Sequence, residues 1–158
     1  MRLALYQPDI PQNTGTILRM AACLDVGVDL IGPAGFDISD RALRRAGLDY
    51  IGHAAITRHD SFAGFEAARA LSGARLVLLT TGAALAYTEF AFRPDDILLA
   101  GRESAGVPAE VHEVAGARLI VPMKAGLRSL NVAIAAAMVL GEALRQTGQF
   151  PRPPQELR

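Results

Sequence analysis

Cysteine is nearly absent: Cys23 is the single one in 158 residues. That excludes an internal disulfide framework and a Cys-rich zinc site. Charge of one sign is also missing, since 16 Lys and Arg balance 16 Asp and Glu. A chain that coats nucleic acid through bulk charge would not balance this way, although a local basic patch remains open. No run of about 18 apolar residues goes unbroken, so a membrane span is not expected. Charged and turn residues interrupt the first stretch, which does not read as a signal peptide. The expected setting is cytoplasmic. His53, His59 and His112 are scattered, and no metal-ligand cluster is apparent.

What remains is an ordinary globular composition, 51% apolar and 20% charged, with the length of one domain. Residues 1–150 are expected to form that domain, followed by a loose, Pro-rich tail over 151–158. Strand and helix signals alternate. Leu3–Tyr6, Val28–Ile31, Ala54–Thr57, Arg75–Thr80, Ile97–Ala100 and Leu119–Val121 read as strands. Thr14–Val26, Asp40–Ala46, Ser61–Leu71 and Ser129–Gln146 read as helices. Asn13 or Thr14 would cap the first helix, and Ser61 the third. In the last helix, Leu130, Ala133, Ile134, Ala137, Met138 and Leu144 share the expected apolar face. Cys23 sits among apolar residues of the first helix and is expected to be packed. The alternation predicts an α/β fold, a mostly parallel sheet with helices on both faces. Ligands of such sheets sit at the carboxyl ends of strands, which directs attention to the loops after Leu79, Ala100 and Val121.

Three segments carry polar residues at such places. In Pro11–Ala22, an Asn-Thr-Gly turn opens a helix that carries Arg19, an arrangement suited to an anion. Asn13 and Arg19 are expected to face the same side. The pattern equally describes a capped helix with a solvated arginine. In Leu98–Pro108, a buried strand runs into Gly101, Glu103 and Gly106. Neither a phosphate-binding P-loop nor the dinucleotide fingerprint matches this spacing. An ordinary turn with a surface carboxylate would look the same. In Leu119–Ala133, a strand ends at Pro122, and Ser129 and Asn131 stand at the mouth of the last helix, where either could cap it. Taken alone, these residues imply an α/β domain with three loops at one sheet edge, and no particular reaction.

Taken together and in order, the segments resemble the three motifs of the SpoU methyltransferases: Asn13-Thr-Gly-x-x-x-Arg19, Gly101-x-Glu103-x-x-Gly106, and Pro122-Met-x-x-x-x-x-Ser129-Leu-Asn131-Val. The short length resembles the minimal subfamily that methylates the ribose of the wobble nucleotide of tRNA. So do Arg44-Arg-Ala-Gly-Leu-Asp-Tyr50 and Tyr6-x-Pro-x-Ile-Pro. The resemblance implies the SPOUT fold, with a deep C-terminal trefoil knot that periodicity does not reveal. It also implies a homodimer, S-adenosyl-L-methionine as cofactor, and the tRNA anticodon stem-loop as partner.

By the same resemblance, Leu79, Gly101, Val121, Ser129 and Leu130 hold the cofactor, largely through backbone groups. Arg19, Asn13, Ser129, Asn131 and Glu103 are the catalytic candidates. Arginine is essentially always charged, so Arg19 is better suited to hold a phosphate and stabilise alkoxide charge than to act as base. Arg41, Arg44, Arg45 and Lys124 are candidates for phosphate contacts, against the alternative of a solvated surface. Methylation of ribosomal RNA, a catalytically silent RNA-binding module, and a generic nucleotide-binding protein are the competing readings.

Overall fold

The central strands carry near-continuous apolar runs, Leu3–Tyr6, Leu76–Leu79 and Ile97–Ala100, as strands buried on both faces require. In the computed structural model, whose described residues are 1–45 and 52–152, the strands are β1 (Arg2–Tyr6), β2 (Gly27–Ile31), β3 (Ile56–His59), β4 (Leu76–Leu79), β5 (Leu85–Ala86), β6 (Ile97–Ala100) and β7 (Ala117–Ile120). They form one seven-stranded sheet in the order β3-β2-β1-β6-β4-β7-β5, with every pairing parallel. β5, a two-residue edge strand, was not expected from the sequence.

Alternate residues feed two apolar layers. Leu3, Leu5, Val28, Leu30, Val77, Leu98 and Leu119 point to one face. There they meet Ile17, Leu18 and Ala21 of α1 (Pro11–Cys23) and Ala136, Leu140 and Ala143 of α5 (Val132–Thr147). Ala4, Tyr6, Ile31, Leu76, Leu78, Ile97 and Leu99 point to the other, under Phe65 of α3 (Phe62–Ser72) and Val111 of α4 (Ala109–Val114). Helices therefore cover both faces, as expected. Two buried carboxylates are paired: Asp29 with the Arg2 guanidinium (2.7 Å) and the His59 ring (2.9 Å), and Asp96 with Arg75 (2.8 Å).

Several boundaries differ from expectation. α1 begins at Pro11, which suits the first helical position because it lacks an N–H that would be left unpaired. Its N-cap is Ile10, with no side-chain cap. Neither Asn13 nor Thr14 caps it; both lie inside the first turn. α5 begins at Val132 rather than Ser129, and Asn131 is its cap. Its apolar face was also misassigned in part: Ala133 and Leu144 are buried as expected, but Ala137 is exposed. Ala133, Ala136, Val139, Leu140, Ala143 and Leu144 are buried, whereas Leu130, Ile134 and Met138 are 38%, 53% and 40% exposed. The helix is apolar nearly all round, so periodicity could not choose the buried side. Cys23 is exposed, because it falls in the last turn of α1 on the solvent side. Ser61 caps α3 as expected, accepting from the Gly64 amide at 3.2 Å. The short helix α2 (Asp40–Arg45) ends one residue before the expected Ala46; residues 46–51 and 153–158 lie outside the described residues.

Candidate active site

A parallel sheet brings the carboxyl ends of all its strands to one edge. Here the loops after β4, β6 and β7 meet the start of α1 and the approach to α5 around a cleft of about 550 Å³. The volume lies within the range of small-molecule sites. Ile10, Leu79, Ala100, Leu119, Leu130 and Val132 line it with apolar surface, and Asn13, Thr80, Thr81, Arg102, Glu103, Ser129 and Asn131 with polar groups.

The loop after β6 is a closed turn. Arg102 N donates to Gly106 O at 3.0 Å, and Gly106 N donates to Arg102 O at 2.7 Å. Both glycines are required by geometry. A Cβ on Gly101 would lie 2.9 Å from the Gly106 carbonyl carbon and 3.1 Å from its Cα. Gly106 adopts φ +68°, in the left-handed region.

Three polar side chains from three separate segments join in one chain of hydrogen bonds. Asn131 Nδ2 donates to Asn13 Oδ1 at 2.8 Å. Asn13 Nδ2 donates to Glu103 Oε1 at 3.3 Å. The remaining oxygen of Asn131 accepts from the amides of Ala133 (2.8 Å) and Ile134 (3.3 Å), capping α5. One residue thus both starts the helix and orients the chain.

The second Glu103 oxygen accepts from the Asp9 amide at 3.1 Å. Asp9 itself accepts from Arg102 Nε at 3.2 Å and from the Ser104 hydroxyl. Hydrogen bonding to Glu103, then to Ser104, holds the Asp9 carboxyl below its ordinary range; the Arg102 guanidinium adds to this, and desolvation opposes it.

Of the expected cofactor residues, Leu79, Gly101, Val121, Ser129 and Leu130 all line the cleft; of the expected catalytic residues, Asn13, Glu103, Ser129 and Asn131 do. Arg19 does not. It is exposed on α1, six positions after Asn13, and that spacing turns it about 120° away around the helix. The expectation that the two face the same side is therefore corrected. Arg41 and Lys124 are exposed and also lie outside the cleft lining, and the backbone of Arg44 and Arg45 completes α2. Arg102, Arg128 and Asp9 were missed. Arg102 sits inside the second motif, where its presence was a signal. Asp9 had none, because its partner lies 93 residues away. Among the described residues, no group of His, Cys, Asp and Glu could hold a metal ion, and no helix is long and apolar enough to cross a membrane.

Residues 1–141 match the SpoU rRNA Methylase family model. The chain belongs to the SpoU methylase family. It is 63% identical over 150 residues to a tRNA (cytidine(34)-2'-O)-methyltransferase of Beijerinckia indica, covering 95% of this chain and 94% of that protein. A solved structure concerned with the 2-OH methylation of C/U34 on tRNA is 44% identical, with a TM-score of 0.84, covering 92% of this chain and 94% of that one. The SpoU methyltransferase AviRb of Streptomyces viridochromogenes, in complex with the cofactor AdoMet, is 28% identical with a TM-score of 0.80, covering 92% of this chain and 60% of the other.

Proposed function

We propose that this SpoU methylase transfers the methyl group of S-adenosyl-L-methionine to the ribose 2′-hydroxyl of the wobble nucleotide, cytidine or uridine 34, in the tRNA anticodon stem-loop. One observation carries the reading: Asn13, Glu103 and Asn131, from three motifs far apart in sequence, meet as one hydrogen-bonded chain in a cleft of cofactor size.

The cleft fits the cofactor chemically. Its walls are apolar, and the glycine-dependent turn at Gly101–Gly106 lets ligand approach backbone closely. Leu79, Gly101, Val121, Ser129 and Leu130 would hold it, mainly through main-chain groups. When bound, the cofactor supplies an activated sulfonium methyl open to in-line attack. The protein's work is then to place the ribose oxygen and to exclude water. Asn13, pinned between Glu103 and Asn131, orients the ribose, and Ser129 shapes the floor beside it. Arg19, exposed on α1 and outside the cleft lining, is placed to hold a phosphate of the bound tRNA. Arg41, Arg44, Arg45 and Lys124 contact phosphates farther along the stem-loop.

A homodimer belongs to the same proposal. Ile134 and Met138 lie four residues apart and leave an exposed apolar stripe along α5. A second copy of the chain would cover it. The C-terminal trefoil knot is carried over with the family; the single domain over residues 1–150 and the cytoplasmic setting, read from length and composition, belong to the same proposal.

The test is transfer of labelled methyl to total tRNA lacking the modification, followed by mapping of the labelled nucleoside. Label in a 2′-O-methyl nucleoside at position 34 supports the proposal. No label in tRNA, with label in ribosomal RNA assayed in parallel, would redirect it to that substrate.

A further inference from the structure

We infer that Asp9, which lies outside the three motifs, is a positioning residue for methyl transfer: it locks the turn after β6 and thereby sets Glu103 against Asn13. Asp9 holds three consecutive residues of that turn. Its amide donates to Glu103 Oε2 at 3.1 Å. Its carboxylate accepts from Arg102 Nε at 3.2 Å and from the Ser104 hydroxyl. The other Glu103 oxygen takes the Asn13 amide at 3.3 Å. Glu103 is therefore fixed from both sides, by Asp9 through backbone and by Asn13 through side chain.

Asp9 can act as an anchor because it is itself immobilised. Its side chain is 17% exposed, where charge-assisted hydrogen bonds are stronger than in water. A Cβ on Gly35 would lie 2.9 Å from the Asp9 Cβ and 3.0 Å from its Cα, and the Gly35 amide donates to the Pro8 carbonyl at 2.9 Å. The loop after β2 thus passes close against Asp9, leaving no room for a side chain at Gly35, while Arg102, Glu103 and Ser104 bond to it. Arg102, Glu103 and Ser104 all line the cleft. Loosening Asp9 frees the wall that takes the cofactor and the carboxylate that orients Asn13 in one movement.

The inference rests on the cleft being the site of methyl transfer. The experiment uses the full chain and measures three quantities: calorimetric Kd for S-adenosyl-L-methionine, and kcat and KM with tRNA. Asp9→Ala is expected to raise the cofactor Kd and lower kcat by at least about tenfold each, the scale of a small misplacement of reacting groups, with KM for tRNA unchanged. Asp9→Asn keeps an acceptor for Ser104 but no charge for Arg102, and should fall between. If Asp9→Ala does not fold, Asp9→Asn and Ser104→Ala carry the test. The double variant Asp9→Ala/Arg102→Ala should lose no more than the worse single variant, because both act through one turn. Additive losses, or wild-type Kd and kcat in Asp9→Ala and Asp9→Asn, would overturn the inference. Asn131→Ala is the control. If it abolishes transfer while the Asp9 variants remain active, only this inference fails; if it too leaves transfer intact, the reading of the cleft fails and this inference with it.

Discussion

Asn131 carries two jobs that a pair of substitutions separates. Its Oδ1 caps α5 by accepting from the amides of Ala133 and Ile134, and its Nδ2 donates to Asn13. Alanine removes both. Loss of such a cap costs about 1 kcal/mol, which lowers Tm by roughly 2–4 °C in a domain of this size. Aspartate keeps the cap, because a carboxylate oxygen accepts the same amides at a helix N-terminus, where negative charge is favoured. It cannot donate to Asn13, however, and it places a second acceptor against Asn13 Oδ1. Asn131→Asp should therefore melt within about 1 °C of wild type, since the cap that carries the 2–4 °C is retained. Yet it should lose methyl transfer about 100-fold, as expected when reacting groups are misplaced. Scanning calorimetry and single-turnover transfer to unmodified tRNA measure the two quantities separately. Wild-type activity in Asn131→Asp would refute the orienting role; a melting temperature as low as that of Asn131→Ala would refute the cap.

Other perturbations test the remaining parts. Gly101→Ala pushes a methyl group into the Gly106 backbone at 2.9 Å; overpacking of this kind costs about 1–3 kcal/mol, and both melting temperature and cofactor affinity should fall. Asp96→Ala removes the buried partner of Arg75 and the acceptor of the Arg93 amide; denaturant unfolding should show a loss of about 3 kcal/mol. The Asp9 carboxyl is depressed in the folded state, so its contribution is fully present above the unfolded Asp value near about 3.9. That contribution disappears as pH falls through the lower folded value. The stability gap between wild type and Asp9→Asn, followed by thermal melts, should therefore close below about pH 4, and a gap that widens there would contradict the assignment. Ile134→Asp and Met138→Asp charge the exposed stripe of α5; if a second copy covers that stripe as proposed, sedimentation should report a dimer for wild type and monomers for both variants, and a monomeric wild type would overturn the dimer.

Much was legible from sequence alone. The unbroken apolar strands Leu3–Tyr6 and Ile97–Ala100 specify a sheet buried on both faces, because no solvent face alternates with them. Ser61 before α3 marks a helix start through local geometry, its side chain accepting from the Gly64 amide. The motif residues Asn13, Glu103 and Asn131 stood out because polar groups at strand ends and helix starts leave a local trace. Tertiary structure decided what had no such trace. Asn13 meets Glu103 across 90 residues and Asn131 across 118, and no local rule pairs them. It chose which side of the nearly all-apolar α5 is buried, exposed Cys23 on α1, and turned Arg19 away from the cleft. Asp9 acquires its place only when the loop after β6 folds back upon it. Local chemistry writes strands, caps and turns into the chain, but the contacts that make a site are long-range, and only the packed sheet brings them together.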